Sequence, residues 1–175
     1  QFIDLKSFAD WYILMEVAKV PLNKFEDNCF VVLTDDGKLR MGPVDFQPIA
    51  FADDDYTGYC KRKNVWFKAL FNNSEFVQTV LNRLDDLSGH NVNDFVSGLR
   101  YRLPQQFDSY AEWGGSSMNS AISKLSSDKE NWIENRVDWL KSAVKSELDL
   151  LKNMNPSSQN AISDFNFKAN LNSDA

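Results

Sequence analysis

The 175-residue chain is 43% hydrophobic and 13% aromatic, which predicts one globular domain with a sizeable core rather than a disordered segment. Its formal net charge of -6 argues against a general nucleic-acid surface, because phosphate binding needs clustered Lys and Arg. No apolar run approaches the ~18 residues that a membrane-spanning helix needs. The chain begins at Gln1 without a signal peptide, so we expect a fragment or a processed chain.

Cysteine and histidine chemistry has few candidates in this sequence. Cys29 and Cys60 can form one disulfide or remain free buried thiols, and their spacing matches no metal motif. His90, the only histidine, lies in a Ser-Gly-His-Asn turn and is expected at the surface. A Ser-His-Asp, Cys-His or His-zinc site would depend on this one residue, so none of them is predicted.

The first predicted element is a buried helix. Asp4 is a suitable N-cap for a helix that runs to about Lys19. Apolar residues at helical spacing predict a buried face of Phe8, Trp11, Met15 and Ala18, which Tyr12 and Leu14 widen. We expect this aromatic stripe to pack in the core rather than to bind a ligand.

A β-hairpin is predicted over about residues 29–44. The runs 29–34 (CFVVLT) and 39–44 flank the turn sequence Asp35-Asp36-Gly37-Lys38. A lone hairpin is marginally stable in water, so this one must lie on helices or join a sheet supplied elsewhere.

The loop 52–63 carries two charge runs whose roles the sequence leaves open. The aspartates at 53–55 could bind a hard cation, although their spacing is not that of an EF-hand, and a solvated loop is the more common arrangement. The basic residues at 61–63 could hold a phosphate, but a solvated surface is again favoured.

The rest of residues 1–152, the predicted domain, should be helical. Ser74 is the predicted N-cap of a helix that ends near Gly89, and the capping box Ser127-x-x-Glu130 opens the longest helix. The helices expected after the hairpin are 65–71 (short and buried), 74–89, 93–103, 105–113, about 118–125 and 127–152. The predicted fold class is α+β, mostly α, with one hairpin packed on a bundle of five to seven helices.

The C-terminal segment 153–175 is rich in Asn and Ser and is predicted to be a linker or the first strand of a following β-domain. Phe165, Phe167, Ala169 and Leu171 alternate with polar residues, as in a strand with one buried face. Such a strand either opens the following domain or pairs back on this one.

Several segments also carry a family resemblance. They are FIDLKSFADWYILMEVAK, CFVVLTDDGKLRMGPVDFQPIAF, VWFKALFNNSEFVQTVLNRLDDL and the pattern Trp132…Arg136-x-x-Trp139-Leu140. Over about residues 2–150 the chain resembles the spore-coat protein H (CotH) kinase family. The resemblance implies a divergent kinase-like fold on a secreted or cell-surface protein, with this chain as its helical C-terminal lobe. The implied partner is an N-terminal β-rich lobe of the same protein, which would precede Gln1.

The family's chemistry is phosphoryl transfer with ATP and Mg²⁺. A carboxylate positions the acceptor hydroxyl, while an Asn and an Asp hold the metal ions. The resemblance implies cofactor-binding positions at Asn28, Asp45 and Gln47, of which Asn28 and Asp45 are the metal ligands. Asp27 is the candidate catalytic carboxylate.

Both motifs depart from the family pattern. Residues 20–23 (VPLN) stand where an Asn and the catalytic Asp are expected, and Glu26 and Asp27 come several positions later. After the hairpin the family has Trp-Asp-aromatic-Asp. If one residue is deleted here, Asp45 takes the first Asp position and Gln47 replaces the second; in an ungapped alignment both aspartates are lost.

The lost acids favour a catalytically impaired CotH-like domain that acts as a binding or scaffold module, with a protein or glycan partner. The alternatives are an active ATP- and Mg²⁺-dependent kinase of the family and a purely structural helical domain. An active kinase needs Asn28 and Asp45 to converge on one Mg²⁺. A scaffold needs an exposed apolar patch or a filled groove. A structural domain should show Asp45 capped by backbone amides, without a cleft.

Overall fold

The structure, a computed structural model, describes residues 2–20, 29–44, 50–51, 53–89 and 130–154. This part of the chain has the predicted α+β, mostly helical fold, with one antiparallel hairpin. The elements are α1 (Leu5–Val17), β1 (Cys29–Leu33), β2 (Leu39–Pro43), α2 (Val65–Leu70), α3 (Ser74–Gly89) and α4 (Glu130–Asn153). These described residues form four helices rather than five to seven, since the helices predicted at 93–103, 105–113 and about 118–125 lie outside them, as do His90, Ser127 and residues 155–175.

Helix α1 begins where the sequence predicts. The Asp4 side chain accepts a hydrogen bond from the backbone N of Ser7 (3.1 Å) and caps the helix. The predicted aromatic face is buried, but Leu14 is 38% exposed, so its assignment to that face was wrong. Successive residues turn by about 100°, which places Leu14 on the same side of the helix as Asp10.

The hairpin has the predicted strands and turn. Its register runs from Leu33 opposite Leu39 to Cys29 opposite Pro43. Gly37 has a φ of 74°, which a residue with a Cβ adopts only at a cost, and this explains the glycine in the turn.

Strand β2 attaches the hairpin to the helical body. The backbone N of Leu39 donates to the O of Phe2 (2.6 Å), and the N of Asp4 donates to the O of Leu39 (2.9 Å). Met41 is buried, and its N donates to the Oγ of Ser7 at the start of α1 (3.2 Å). The expectation that the hairpin lies on helices is therefore confirmed, and β1 becomes the outer strand.

Helices α2 and α3 each begin after an asparagine cap. The Oδ1 of Asn64 accepts a hydrogen bond from the N of Trp66 (2.9 Å), and the Oδ1 of Asn73 accepts one from the N of Glu75 (2.8 Å). The cap of α3 is therefore Asn73, one residue before the predicted Ser74, because an asparagine oxygen at this position reaches the free amides of the first turn.

Helix α2 is less buried than predicted. Phe67 is its one buried residue, while Val65 is 75% exposed. The Phe67 ring stacks on Trp11 of α1, with ring centroids 5.5 Å apart. Aromatic residues therefore fill the core between α1 and the following helices, as the sequence predicts for the stripe of α1.

Helix α4 packs along α3 through an apolar seam at helical spacing. The seam residues Ile133, Val137, Leu140, Val144 and Leu148 are buried, as are Trp132 and Arg136 of the same helix. The heptad-like spacing of this seam thus serves packing within the chain. In the part of the chain described here, no helix combines the length and the apolar character that a membrane span requires.

Candidate functional site

The residues predicted to bind metal and cofactor flank the hairpin in sequence, at the end opposite its turn. Cys29 pairs with Pro43, so the start of β1 and the end of β2 lie side by side. The predicted residues themselves lie outside the described part of the chain: Asp27, Asn28, Asp45 and Gln47. Their roles toward Mg²⁺ and ATP remain predictions.

Ala50 and Phe51 anchor the chain downstream of this position. The backbone N of Phe51 donates to the O of Ala18 at the end of α1 (2.6 Å). The Phe51 ring meets Trp132 of α4 edge-on, with centroids 6.3 Å apart, and Ala50 is buried. Phe51 has a φ of 60°, which is uncommon for a residue with a Cβ, so these contacts must hold it there.

A buried ion pair ties α1 to α4 and to the loop 53–64. The Oε2 of Glu16 accepts a hydrogen bond from the Nη2 of Arg136 (2.9 Å), and both side chains are fully buried. Glu16 also accepts hydrogen bonds from the backbone N of Cys60 (2.8 Å) and of Lys61 (2.6 Å). One carboxylate thus binds both the loop and the distant helix.

The other donors of Arg136 bind backbone carbonyls. Its Nε donates to the O of Glu16 (2.9 Å), and its Nη1 donates to the O of Tyr56 (2.8 Å) and of Gly58 (2.7 Å). Buried charges are tolerated when they are paired and hydrogen-bonded in this way. The guanidinium therefore fixes the path of the loop over the ends of α1 and α4.

Burial is the largest influence on both charges of this pair. It raises the pKa of the Glu16 carboxyl and lowers the pKa of Arg136. The amides of Cys60 and Lys61 and the guanidinium act on Glu16 in the opposite direction. Because Glu16 is fully buried and bound to protein donors, it holds structure and cannot meet a substrate as a general base.

Two carboxylates of the acidic run at 53–55 are bound to protein donors. The Oδ2 of Asp53 accepts a hydrogen bond from the Nζ of Lys19 (2.8 Å), which lowers the pKa of Asp53. The Oδ1 of Asp55 accepts hydrogen bonds from the N (2.8 Å) and Oγ1 (2.7 Å) of Thr57, which lower its pKa. Among the residues that the structure describes, no three His, Cys, Asp or Glu side chains converge as a metal site.

The expected solvated surface at 61–63 is wrong for Lys61. This side chain is fully buried, and its Nζ lies 5.9 Å from the centroid of the Trp11 ring. Burial lowers the pKa of Lys61. The backbone N of Lys61 donates to the buried Glu16 carboxylate, and the Lys61 side chain lies in the core. Its ammonium group therefore cannot reach a phosphate in solvent.

Arg62 also departs from the expected solvated surface. Its Nη2 pairs with the Oε2 of Glu147 on α4 (2.9 Å), and its guanidinium lies 4.5 Å above the Phe71 ring. Lys63 is exposed, as expected. Two of the three basic residues therefore serve the packing of the loop.

The two cysteines, Cys29 and Cys60, are half-buried and are not joined by a disulfide. Burial raises the pKa of the Cys60 thiol, which lowers its fraction of reactive thiolate at neutral pH.

Strand β1 presents an apolar edge to solvent. The exposed fractions of Phe30, Val31, Val32 and Leu33 are 47%, 37%, 43% and 69%. In the described residues the sheet has two strands, so β1 lies at its edge. Natural edge strands are commonly protected by charges or prolines, whereas the sequence of β1 contains neither. We call residues 30–33 the β1 edge.

The ring of Phe30 is held in place by a glycine on β2. A Cβ at Gly42 would lie 2.5 Å from the Phe30 ring, so the ring packs directly on the glycine backbone. The absence of a side chain at Gly42 thus lets an exposed aromatic ring lie close against the hairpin.

Glu16, Lys19 and Arg136 organise the loop 53–64, a role that the sequence did not predict. Their signal was an ionisable residue placed within an apolar helix face, since Arg136 lies between Ile133 and Val137 on the buried seam of α4. Such a residue is almost never fully buried unless it is paired. The sequence indicates that a partner exists, but does not indicate which one.

Comparisons of this chain with protein-family models, with curated proteins and with solved structures found no match.

Proposed function

We propose that this chain is a catalytically impaired, CotH-like kinase-fold domain that acts as a binding or scaffold module of a secreted or cell-surface protein. The observation that carries the proposal is the β1 edge, an exposed row of apolar side chains on a hairpin that is fixed to the helical body. An exposed apolar patch distinguishes a scaffold from a purely structural domain.

The way in which the hairpin is attached to the helical body favours a binding role for the β1 edge. Leu39 and Met41 of β2 are bonded to residues 2–4 and to α1, so the hairpin does not depend on β1 for its attachment. A partner at the β1 edge would meet a strand that is already ordered, which reduces the entropy cost of binding.

The sequence at the predicted kinase site favours impaired catalysis. Phosphoryl transfer needs a carboxylate near the acceptor hydroxyl and acidic ligands for Mg²⁺. Leu22 and Gln47 stand at positions where the family resemblance implies acids. A leucine cannot accept a proton, and a neutral glutamine is a weak ligand for a hard cation.

Thermal unfolding with and without Mg-ATP tests the proposal that the domain is catalytically impaired. It should be measured on this chain and on a longer protein that includes the N-terminal lobe implied by the resemblance. A ligand at 100 times its dissociation constant adds about 2.7 kcal/mol, equivalent to a rise in Tm of roughly 5–10 °C for a protein of this size. We expect no rise in either protein.

A rise in the longer protein that is lost in Asp45→Ala would overturn the proposal in favour of the active kinase. Asp45 would then be a metal ligand, and ATP turnover by the longer protein should be lost in the same variant. A rise that Asp45→Ala does not change would still show nucleotide binding and would contradict the assignment of Asp45.

A further inference from the structure

Among the residues that the structure describes, none hydrogen-bonds to the backbone groups of Val31 and Leu33 on the outer side of β1. The N of Thr34 donates to the O of Lys38, toward β2, whereas Leu39 exchanges its backbone hydrogen bonds with residues 2–4 on the other edge of β2. Backbone groups alternate in direction along a strand, so the N–H and C=O of Val31 and Leu33 point away from β2. They are the groups to which a further strand would bind.

A shallow cavity, open to solvent over most of its surface, adjoins this edge at the tip of the hairpin. It has a volume of about 530 Å³ and is lined by Leu33, Thr34, Asp35, Asp36 and Arg40. Leu33, 69% exposed, supplies an apolar wall beside the carboxylates. An aliphatic chain that ends in a polar group fits such a lining.

The charges of this cavity are unequally paired. Arg40 binds two carboxylates, those of Asp4 (Nε to Oδ2, 3.0 Å) and Asp36 (Nη2 to Oδ2, 3.0 Å). Asp35 is exposed, and its carboxylate has no hydrogen bond or ion pair with any residue in the described part of the chain. The cavity therefore keeps one negative charge that a ligand can neutralise.

We propose that the β1 edge binds an extended segment of a partner protein as an additional strand, and that this segment places a Lys or Arg side chain in the cavity between Leu33 and Asp35. This inference rests on the proposed binding function and specifies the chemistry of the partner. The aliphatic stem of the basic residue lies on Leu33, and its charged group pairs with Asp35. Main-chain hydrogen bonds to Val31 and Leu33 supply affinity, and the charge supplies specificity.

Two pairs of synthetic nine-residue peptides test the proposal on the full chain. Every peptide alternates Val and Thr and carries one charged residue. In the first pair this residue is at the first position, and in the second pair it is at the last position. Within each pair it is Lys in one peptide and Glu in the other. Antiparallel and parallel strands place opposite ends at the hairpin tip, so one pair should discriminate. Amide hydrogen exchange measured by NMR reports pairing at Val31 and Leu33, and titration reports affinity.

We expect the Lys peptide of that pair to slow the exchange of the Val31 and Leu33 amides and to bind about two- to fivefold more tightly than its Glu counterpart. Asp35→Asn should abolish this preference. Asp138→Asn, which removes one exposed carboxylate from α4, should leave it intact.

Different failures separate this inference from the proposed function. If the Lys and Glu peptides bind equally and both protect Val31 and Leu33, the proposed contact of a basic side chain with Asp35 is refuted. The β1 edge would remain a binding surface. No protection by any peptide would overturn both the added strand and the proposed binding surface. Protection without peptide would also overturn the inference, because a second copy or residues 165–171 of the same chain would then occupy the edge. Sedimentation velocity distinguishes these two.

Discussion

Replacing Arg136 with methionine removes four hydrogen bonds from the interior, one to the Glu16 carboxylate and three to the carbonyls of Glu16, Tyr56 and Gly58. Methionine fills part of the space but donates nothing, so Glu16 keeps a buried charge without its counter-ion. Removing one partner of a buried ion pair costs about 3–5 kcal/mol. Since domains are stable by about 5–15 kcal/mol, we expect a large loss of stability.

Urea unfolding followed by circular dichroism measures this loss of stability, and two further variants are compared with Arg136→Met. Arg83→Met is the matched control, because Arg83 and its partner Asp10 have side chains 33% and 43% exposed, where a pair is worth about 0–1 kcal/mol. Arg136→Lys keeps the charge but not the forked geometry and should fall between the two, which keeps the test informative if Arg136→Met does not fold. A loss in Arg136→Met no larger than that in Arg83→Met would refute the role of the buried pair.

Two further predictions concern the loop and the hairpin. The hydrogen bond from Lys19 lowers the pKa of Asp53, so its stabilising effect is present above about pH 4 and is lost as the pH falls through the lowered pKa. The Tm of Asp53→Asn should therefore decrease less than that of the parent chain between about pH 5 and about pH 3. Gly42→Ala places a Cβ 2.5 Å from the far end of the half-exposed Phe30 ring and should cost about 0.5–1.5 kcal/mol in urea unfolding, because the ring must leave its rotamer to make room.

Each of these predictions has a clear contrary result. Parallel curves of Tm against pH for Asp53→Asn and the parent chain would show that the hydrogen bond to Lys19 does not stabilise the fold. For the hairpin, the informative background is Phe30→Ala, in which the ring is absent. If Gly42→Ala costs as much in that background as in the parent chain, contact with the ring is not the cause.

The hairpin and α1 show what a sequence can predict well. Asp4 caps α1, and the turn at Gly37 joins the two expected strands, because capping and turn chemistry act between residues a few positions apart. The same locality explains the small error at the start of α3, where Asn73 and Ser74 are both good caps and the structure uses the first.

The candidate site was predicted less completely. The sequence placed a hairpin at about 29–44 and required support for it, but it did not show that support comes through β2 and leaves β1 exposed. It also placed Lys61 on a solvated surface, whereas the structure buries it beside Trp11. The charge run around Lys61 does not indicate that its backbone N donates a hydrogen bond to the buried Glu16 carboxylate.

The sequence by itself determined the local elements of this protein: the helices that begin at caps, the hairpin turn, and the apolar seam of α4 that repeats at helical spacing. Tertiary structure alone decided which charges are buried and which apolar residues are exposed. Glu16 and Arg136 are 120 residues apart in sequence, yet each is the reason that the other can be buried. The energy of a buried charge depends on its partner in space, and local sequence patterns carry no information about that partner.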